Sequence, residues 1–177
     1  MHFQGPNSPK SPARPTLLPG DPAPALAVRR WLKGKPVRRL EPRGTYVIEF
    51  QATWCAPCRA VMPHLATLAR RHRNATFLGI FILEHDERNV LDSYVSTTAS
   101  GQPYALGYAG FDDGMVSTRF RAARLKGIPA TIVVRDGIVQ WIGHPEQLET
   151  PLAALLAGKW EVSKARMATL RAFASEA

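Results

Sequence analysis

Cys55 and Cys58 are the two cysteines of the 177-residue chain, and they stand three apart within Trp54-Cys55-Ala56-Pro57-Cys58. Two cysteines cannot build a disulfide framework and are too few for a four-ligand zinc knuckle, but this is the spacing of dithiol redox motifs. The β-rich run Tyr46-Val47-Ile48-Glu49-Phe50 lies just upstream and a helical pattern begins at Ala56, so the pair sits at a strand-to-helix junction. At a helix N-terminus the free N–H groups and the dipole favour a thiolate, which suits Cys55 as nucleophile. Cys58 faces the same side within the first turn, so it can resolve a mixed disulfide formed at Cys55 and leave a Cys55–Cys58 disulfide.

Other chemistry for the same residues is a copper or zinc site, as in a metal chaperone, completed by a histidine. His64 and His72 are eight residues apart on one helical pattern, His85 follows a strand and His144 lies in a turn, so these four offer no i, i+4 ligand pair. Surface histidines explain them more simply, and neither metal nor cofactor is expected. A redox-dead binding module is the remaining alternative, with the cysteines inert.

The elements that must position the pair follow from periodicity. From Ala56 to Arg73 the apolar positions Val61, Leu65, Leu68 and Ala69 recur at helical steps, with Pro57 tolerated in the first turn and Pro63 expected to kink the helix. Residues 76–83 form a nearly continuous apolar run, the mark of a strand covered on both faces. Helices are expected over 87–98, 115–124, 148–156 and 161–174, and a weak strand over 104–109. Residues 131–134 and 138–142 flank Asp136-Gly137, the signature of a β-hairpin. This order is an α/β fold around a mixed sheet.

The ends and the charge bound the function further. Seven prolines fall within the first 25 residues, so 1–18 is expected to be a Pro-rich disordered tail, 19–158 the domain and 159–177 a C-terminal helical extension. The opening His2-Phe3-Gln4-Gly5-Pro6 is of the kind left by recombinant expression, so residues 1–6 need not be native. With no signal peptide the chain is expected to be cytoplasmic as given, and periplasmic or otherwise extracytoplasmic if a signal or anchor was removed. No apolar run is long enough for a transmembrane segment. The net charge is +9; residues 1–74 hold 13 Lys+Arg against 3 Asp+Glu, whereas 75–177 hold 10 against 11. The excess therefore belongs to the first part of the chain. Without a nucleic-acid-binding motif or interleaved aromatic residues, it is expected to form a solvated basic face or to meet an acidic protein partner, not nucleic acid.

On these motifs the chain resembles the thioredoxin superfamily. Ile48 to Arg59 is similar to the active-site strand and turn, Pro63 falls where those proteins kink the next helix, and Gly127-Ile128-Pro129 is similar to their cis-proline loop. Asp136-Gly137 followed by Gly143 matches the closing hairpin. The resemblance covers roughly residues 44–158 and implies a thioredoxin fold, a central mixed β-sheet flanked by helices. The 44 residues from 84 to 127 imply an inserted strand and helix between the second strand and the cis-proline loop. With Gly20 to Leu26, this resembles the redoxin branch of TlpA and ResA type, commonly extracytoplasmic thiol-disulfide reductases. A peroxiredoxin is disfavoured because PxxxTxxC is missing around Cys55.

The resemblance also implies roles. Glu49 would be a buried acid serving as proton acceptor or donor for Cys58, unless its strand is an edge and the side chain solvated. Pro129 would be cis, freeing the Ile128 backbone to pair with an extended substrate. Trp54 would cover the disulfide and, with Pro57, complete the substrate-binding set, or else be plain core. Gln51 departs from the pattern, where an aromatic residue is usual. Ala56-Pro57 supplies no imidazolium, which favours a reductant near the low end of the roughly −270 to −120 mV range. The implied partners are disulfide-containing protein clients and a thiol electron donor, met by a monomer.

Overall fold

The computed structural model describes residues 15–112 and 114–175. Its centre is a six-stranded sheet: β1 Arg30–Lys33, β2 Thr45–Gln51, β3 Thr76–Ile82, β4 Ala105–Gly110, β5 Ala130–Arg135 and β6 Ile138–Gly143, in the order β1-β4-β3-β2-β5-β6. β2, β3 and β4 are parallel to one another, while β1, β5 and β6 run antiparallel to their neighbours. The helices are α1 Ala56–Arg71, α2 Arg88–Thr97, α3 Glu149–Leu156 and α4 Val162–Ser175, with a π-helical segment Val116–Arg121 and a short 3₁₀ turn Pro145–Gln147.

Alternation along the strands divides the interior into two layers. Tyr46, Ile48 and Phe50 join Leu78, Ile80, Ile132 and Val134 on one face, covered by Met115, Val116 and Phe120. Val47, Phe77 and Val133 face the other way, onto Val61, Leu65 and Leu68 of α1 and Leu152 and Leu155 of α3. On the same side Phe81, Leu106 and Tyr108 pack on Leu91 and Val95 of α2. The all-apolar reading of residues 76–83 is thus realised as a strand buried on both faces.

Between β3 and the cis-proline loop the chain forms α2, β4 and the π-helical segment, which accommodate the expected additional strand and helix. β4 lies between β1 and β3, and the helix expected over 115–124 winds as a π-helix carrying Arg119 into the core, where its guanidinium donates to the Pro24 carbonyl. β1 escaped the sequence reading because Arg30-Trp31-Leu32-Lys33 is short and ends in charges, the usual form of an edge strand. At the hairpin, Asp136 and Gly137 both adopt positive φ, 53° and 73°, as a type I′ turn requires.

The expected tail over 1–18 needs correction at its end. Residues 1–14 lie outside the described residues, but 15–18 are packed: the Thr16 and Leu17 amides donate to the Ala122 carbonyl at 2.9 and 3.0 Å, and Leu17 joins the core. Burial of Leu17 and Leu18 outweighs the extended preference of the prolines around them.

Candidate active site

β2 ends at Gln51, and the chain turns through Ala52-Thr53-Trp54 into α1, with Cys55 as its N-cap. The Cys58 N–H donates to Cys55 Sγ at 3.2 Å, the contact that would stabilise a Cys55 thiolate. Cys55 and Cys58 are disulfide-bonded and both are buried, packed with Ala52 and Ile128. Pro57 occupies the first turn, where its missing N–H costs nothing, and α1 continues through Pro63 to Arg70 and Arg71, cations suited to its C-terminal end.

Across the disulfide lies the loop before β5. The Ile128–Pro129 bond is cis, and the Ile128 carbonyl oxygen is 3.7 Å from Cys55 Sγ. Trp54 is 59% exposed, so it is a surface ring beside the disulfide rather than core; its Nε1–H donates to the Leu83 carbonyl at 3.2 Å. Leu83 holds φ 58°, a strained conformation for a branched residue, at the point where β3 meets the site.

Glu49 stands in the middle of β2, between β3 and β5, and is only 2% exposed. The edge-strand alternative is therefore excluded. Its backbone neighbours across the sheet are Gly79 and Thr131, and by alternation its side chain lies on the α1 face with Val47 and Gln51. Both Glu49 carboxyl oxygens lack a hydrogen-bond partner among the described residues, as do Gln51 Nε2 and Thr131 Oγ1. Burial pushes the Glu49 carboxyl well above the usual range. Burial, then the Glu49 charge, also raises the Tyr104 phenol well above its ordinary value, which marks Tyr104 as a neighbour of this carboxyl. Gln51 fits because Gly79 leaves room: a Cβ there would stand 2.6 Å from Gln51 Nε2.

One residue that holds the site was not apparent in the sequence. Glu84 accepts from the Thr53 N–H at 2.9 Å and from Thr53 Oγ1 at 2.6 Å, while Arg59 donates to the Thr53 carbonyl at 3.1 Å. Burial raises the Glu84 carboxyl and the two Thr53 bonds oppose that rise. The signal was the parallel register: Gln51 pairs with Phe81, so an acid just beyond β3 must arrive beside the turn just beyond β2. Among the described residues no group of three His, Cys, Asp or Glu side chains is placed to hold a metal ion.

This geometry has counterparts in known proteins. Residues 37–98 match the Thioredoxin family model. Protein FixW of Rhizobium leguminosarum is 29% identical over 160 residues, which cover 84% of this chain and 71% of FixW. A thioredoxin H-type of Ricinus communis is 45% identical over 42 residues, 24% of this chain and 36% of that one. The fold is shared with a thiol-disulfide isomerase from Corynebacterium glutamicum, at TM-score 0.59 and 18% identity, covering 78% of this chain and 97% of the other. A thiol-disulfide oxidoreductase from Bacteroides fragilis gives TM-score 0.59 and 18% identity over 76% and 99%. The match to the Thioredoxin family model contains the Cys55–Cys58 pair, and the sheet places a cis-proline against that pair, so the chain is similar to thioredoxins in its active-site segment and has a thioredoxin-like fold.

Proposed function

We propose that this thiol-disulfide oxidoreductase works as a reductant of protein disulfides, in the manner of the redoxin branch. The observation that carries the reading is the Cys55–Cys58 pair at the start of α1, with Cys55 Sγ held by the Cys58 amide and faced by the Ile128 carbonyl. In the dithiol form the Cys55 thiolate attacks one sulfur of a client disulfide. That S–S bond breaks, a mixed disulfide forms, and the departing client thiolate takes up a proton. Cys58 then gives its proton to the Glu49 carboxylate, and its thiolate attacks Cys55 Sγ. The second client thiol leaves, and the two electrons of the dithiol have passed to the client. A thiol donor must reduce the resulting Cys55–Cys58 disulfide.

Glu49 suits this step because burial without a partner carries its pKa toward the range where it can both accept and return a proton. Trp54, Pro57 and Ile128 form the surface around the pair on which a client would lie, and the buried cis Pro129 sets the backbone of Ile128 behind it. An insulin-reduction assay tests the activity, and Cys58→Ser should accumulate mixed disulfides at Cys55. No captured thiol protein with Cys58→Ser would reject the client reading. A potential above the middle of the roughly −270 to −120 mV range would reverse the direction assigned. Glu49→Gln should slow resolution by about a hundredfold, and turnover unaltered between about pH 6 and 9 would remove Glu49 from the mechanism.

A further inference from the structure

At the end of the sheet remote from the disulfide there is an open groove of about 1160 Å³, larger than most small-molecule pockets. Lys35, Arg38 and Arg39 of the β1–β2 connection line one side, and Arg70 and Arg73 at the end of α1 line the other. With Lys33 that makes six cations against a single acid, Glu41. Three are already engaged: Lys33 with the Gln102 carbonyl at 2.8 Å, Arg39 with Glu41 at 3.1 Å and Arg70 with the Gly101 carbonyl at 3.2 Å. Lys35, Arg38 and Arg73 are exposed and, among the described residues, have no hydrogen-bond or ion-pair partner. Pro36, Val37, Ala69 and Pro103 supply apolar lining between the cations.

We infer that this groove is a docking site for an acidic segment of a partner protein, with apolar side chains interspersed among its carboxylates. Cations flanking an apolar trough match such a segment in both charge and chemistry. Nucleic acid fits less well, because of the three aromatic side chains lining the groove Tyr46 and Phe77 are buried in the core, and the half-buried Tyr104 ring lies against Phe77 with centroids 6.0 Å apart, so no row of exposed rings offers bases a stacking platform. A second copy is opposed by the net charge of +9. The chain's own first 14 residues carry Lys10 and Arg14 and no acid, so they lack the complementary charge. The seven residues of β2 lead from the groove to the active-site turn, a span of roughly 20 Å. A segment held here leaves Cys55 free to exchange disulfides.

The test is fluorescence anisotropy of the full oxidised chain with a fluorescein-labelled peptide of alternating glutamate and leucine. Saturable, salt-weakened binding is expected, with at least a roughly tenfold loss in Arg38→Glu/Arg73→Glu. Lys35→Gln should give a smaller loss of the same sign. Lys159→Glu/Arg171→Glu makes the same change in net charge outside the groove and should bind as the parent does. Insulin reduction should be unaltered in every variant. Equal loss in the two double variants would show diffuse attraction and overturn the site, as would absence of saturation. Tighter binding of an oligonucleotide of equal charge, lost with Arg38 and Arg73, would overturn it in favour of nucleic acid.

Discussion

Glu49 puts a price on its own burial. In the unfolded chain its carboxyl ionises near pH 4.3; in the folded protein burial holds it well above that. Between these two values the native state keeps a proton that the unfolded state has lost, so stability falls as pH rises through that window, and the penalty is complete above the native pKa. Glu49→Gln should therefore gain stability over the parent as pH increases from about 4.3, with the advantage levelling off once the native carboxyl has ionised. Urea denaturation of the oxidised proteins across that range measures it, and a difference independent of pH would mean that Glu49 does not ionise where the structure places it. At this scale the sequence was most informative where chemistry is local. The Cys55–Cys58 spacing, the dipole at the helix start and an acid within an apolar run are visible in a single segment. Glu84, Thr131 and Tyr104 are not, because each reaches the site only through strand register or across the sheet. Gln51, which departs from the usual aromatic, becomes intelligible once Gly79 is seen beside it.

Elements were legible in proportion to their burial. β2, β3 and the β5–β6 hairpin lie in the centre of the sheet or carry an Asp-Gly turn, and residue pattern alone locates them to within about two residues. β1 is an edge, with Arg30 pairing to Asp86 and Asp92 at 2.7 and 2.8 Å, so its sequence was written by surface demands. The segment 116–121 has helical periodicity but winds as a π-helix, a distinction that hydrophobic pattern does not encode. Two glycines separate backbone freedom from steric need. Gly34 has φ +77°, and a Cβ there would stand 2.9 Å from Ala105 Cα, a backbone atom that cannot step aside. Gly137 has φ +73° and open space around the same position. Gly137→Ala should therefore cost about 1 kcal/mol, the left-handed penalty alone, whereas Gly34→Ala should cost at least about 2 kcal/mol more as β1 and β4 are forced apart. Chemical denaturation of the two variants compares them directly, and equal losses would show that the β1–β2 connection yields to the added methyl.

For the molecule as a whole, the unforeseen feature is how the sheet is closed at β6. β6 is the last strand, and an unpaired strand edge invites association with other chains. Here the segment leading into the domain covers it: Gly20 N–H donates to the Val139 carbonyl at 2.7 Å, Val139 N–H to the Asp21 carbonyl at 2.9 Å and Ala23 N–H to the Gly137 carbonyl at 2.8 Å. The same segment is clasped from the other side by α4. Arg166 Nη1 donates to Asp21 Oδ1 at 2.6 Å and to the Pro19 carbonyl at 3.0 Å, and Asp21 Oδ2 accepts from the Leu18 amide at 2.8 Å. The Trp160 indole, just before α4, donates to the Gln140 carbonyl of β6 at 3.1 Å. None of this could be read from periodicity, since the partners are about 145 residues apart in the chain. The helix from Glu161 onward and the proline-rich approach to the domain thus act together, as a strap and its fastening. Removing the fastening should free the strap without disturbing the distant disulfide. Arg166→Ala is expected to lower stability by about 1–2 kcal/mol, since it breaks a half-buried ion pair and one bond to a carbonyl. It should also speed hydrogen exchange of the Val139 amide by roughly tenfold, the mark of local opening along β6, while insulin reduction stays at the parent rate. Exchange at Val139 unaltered by the substitution would mean that the strap holds to the β6 edge through its own backbone bonds, and α4 would then be an independent addition to the sheet.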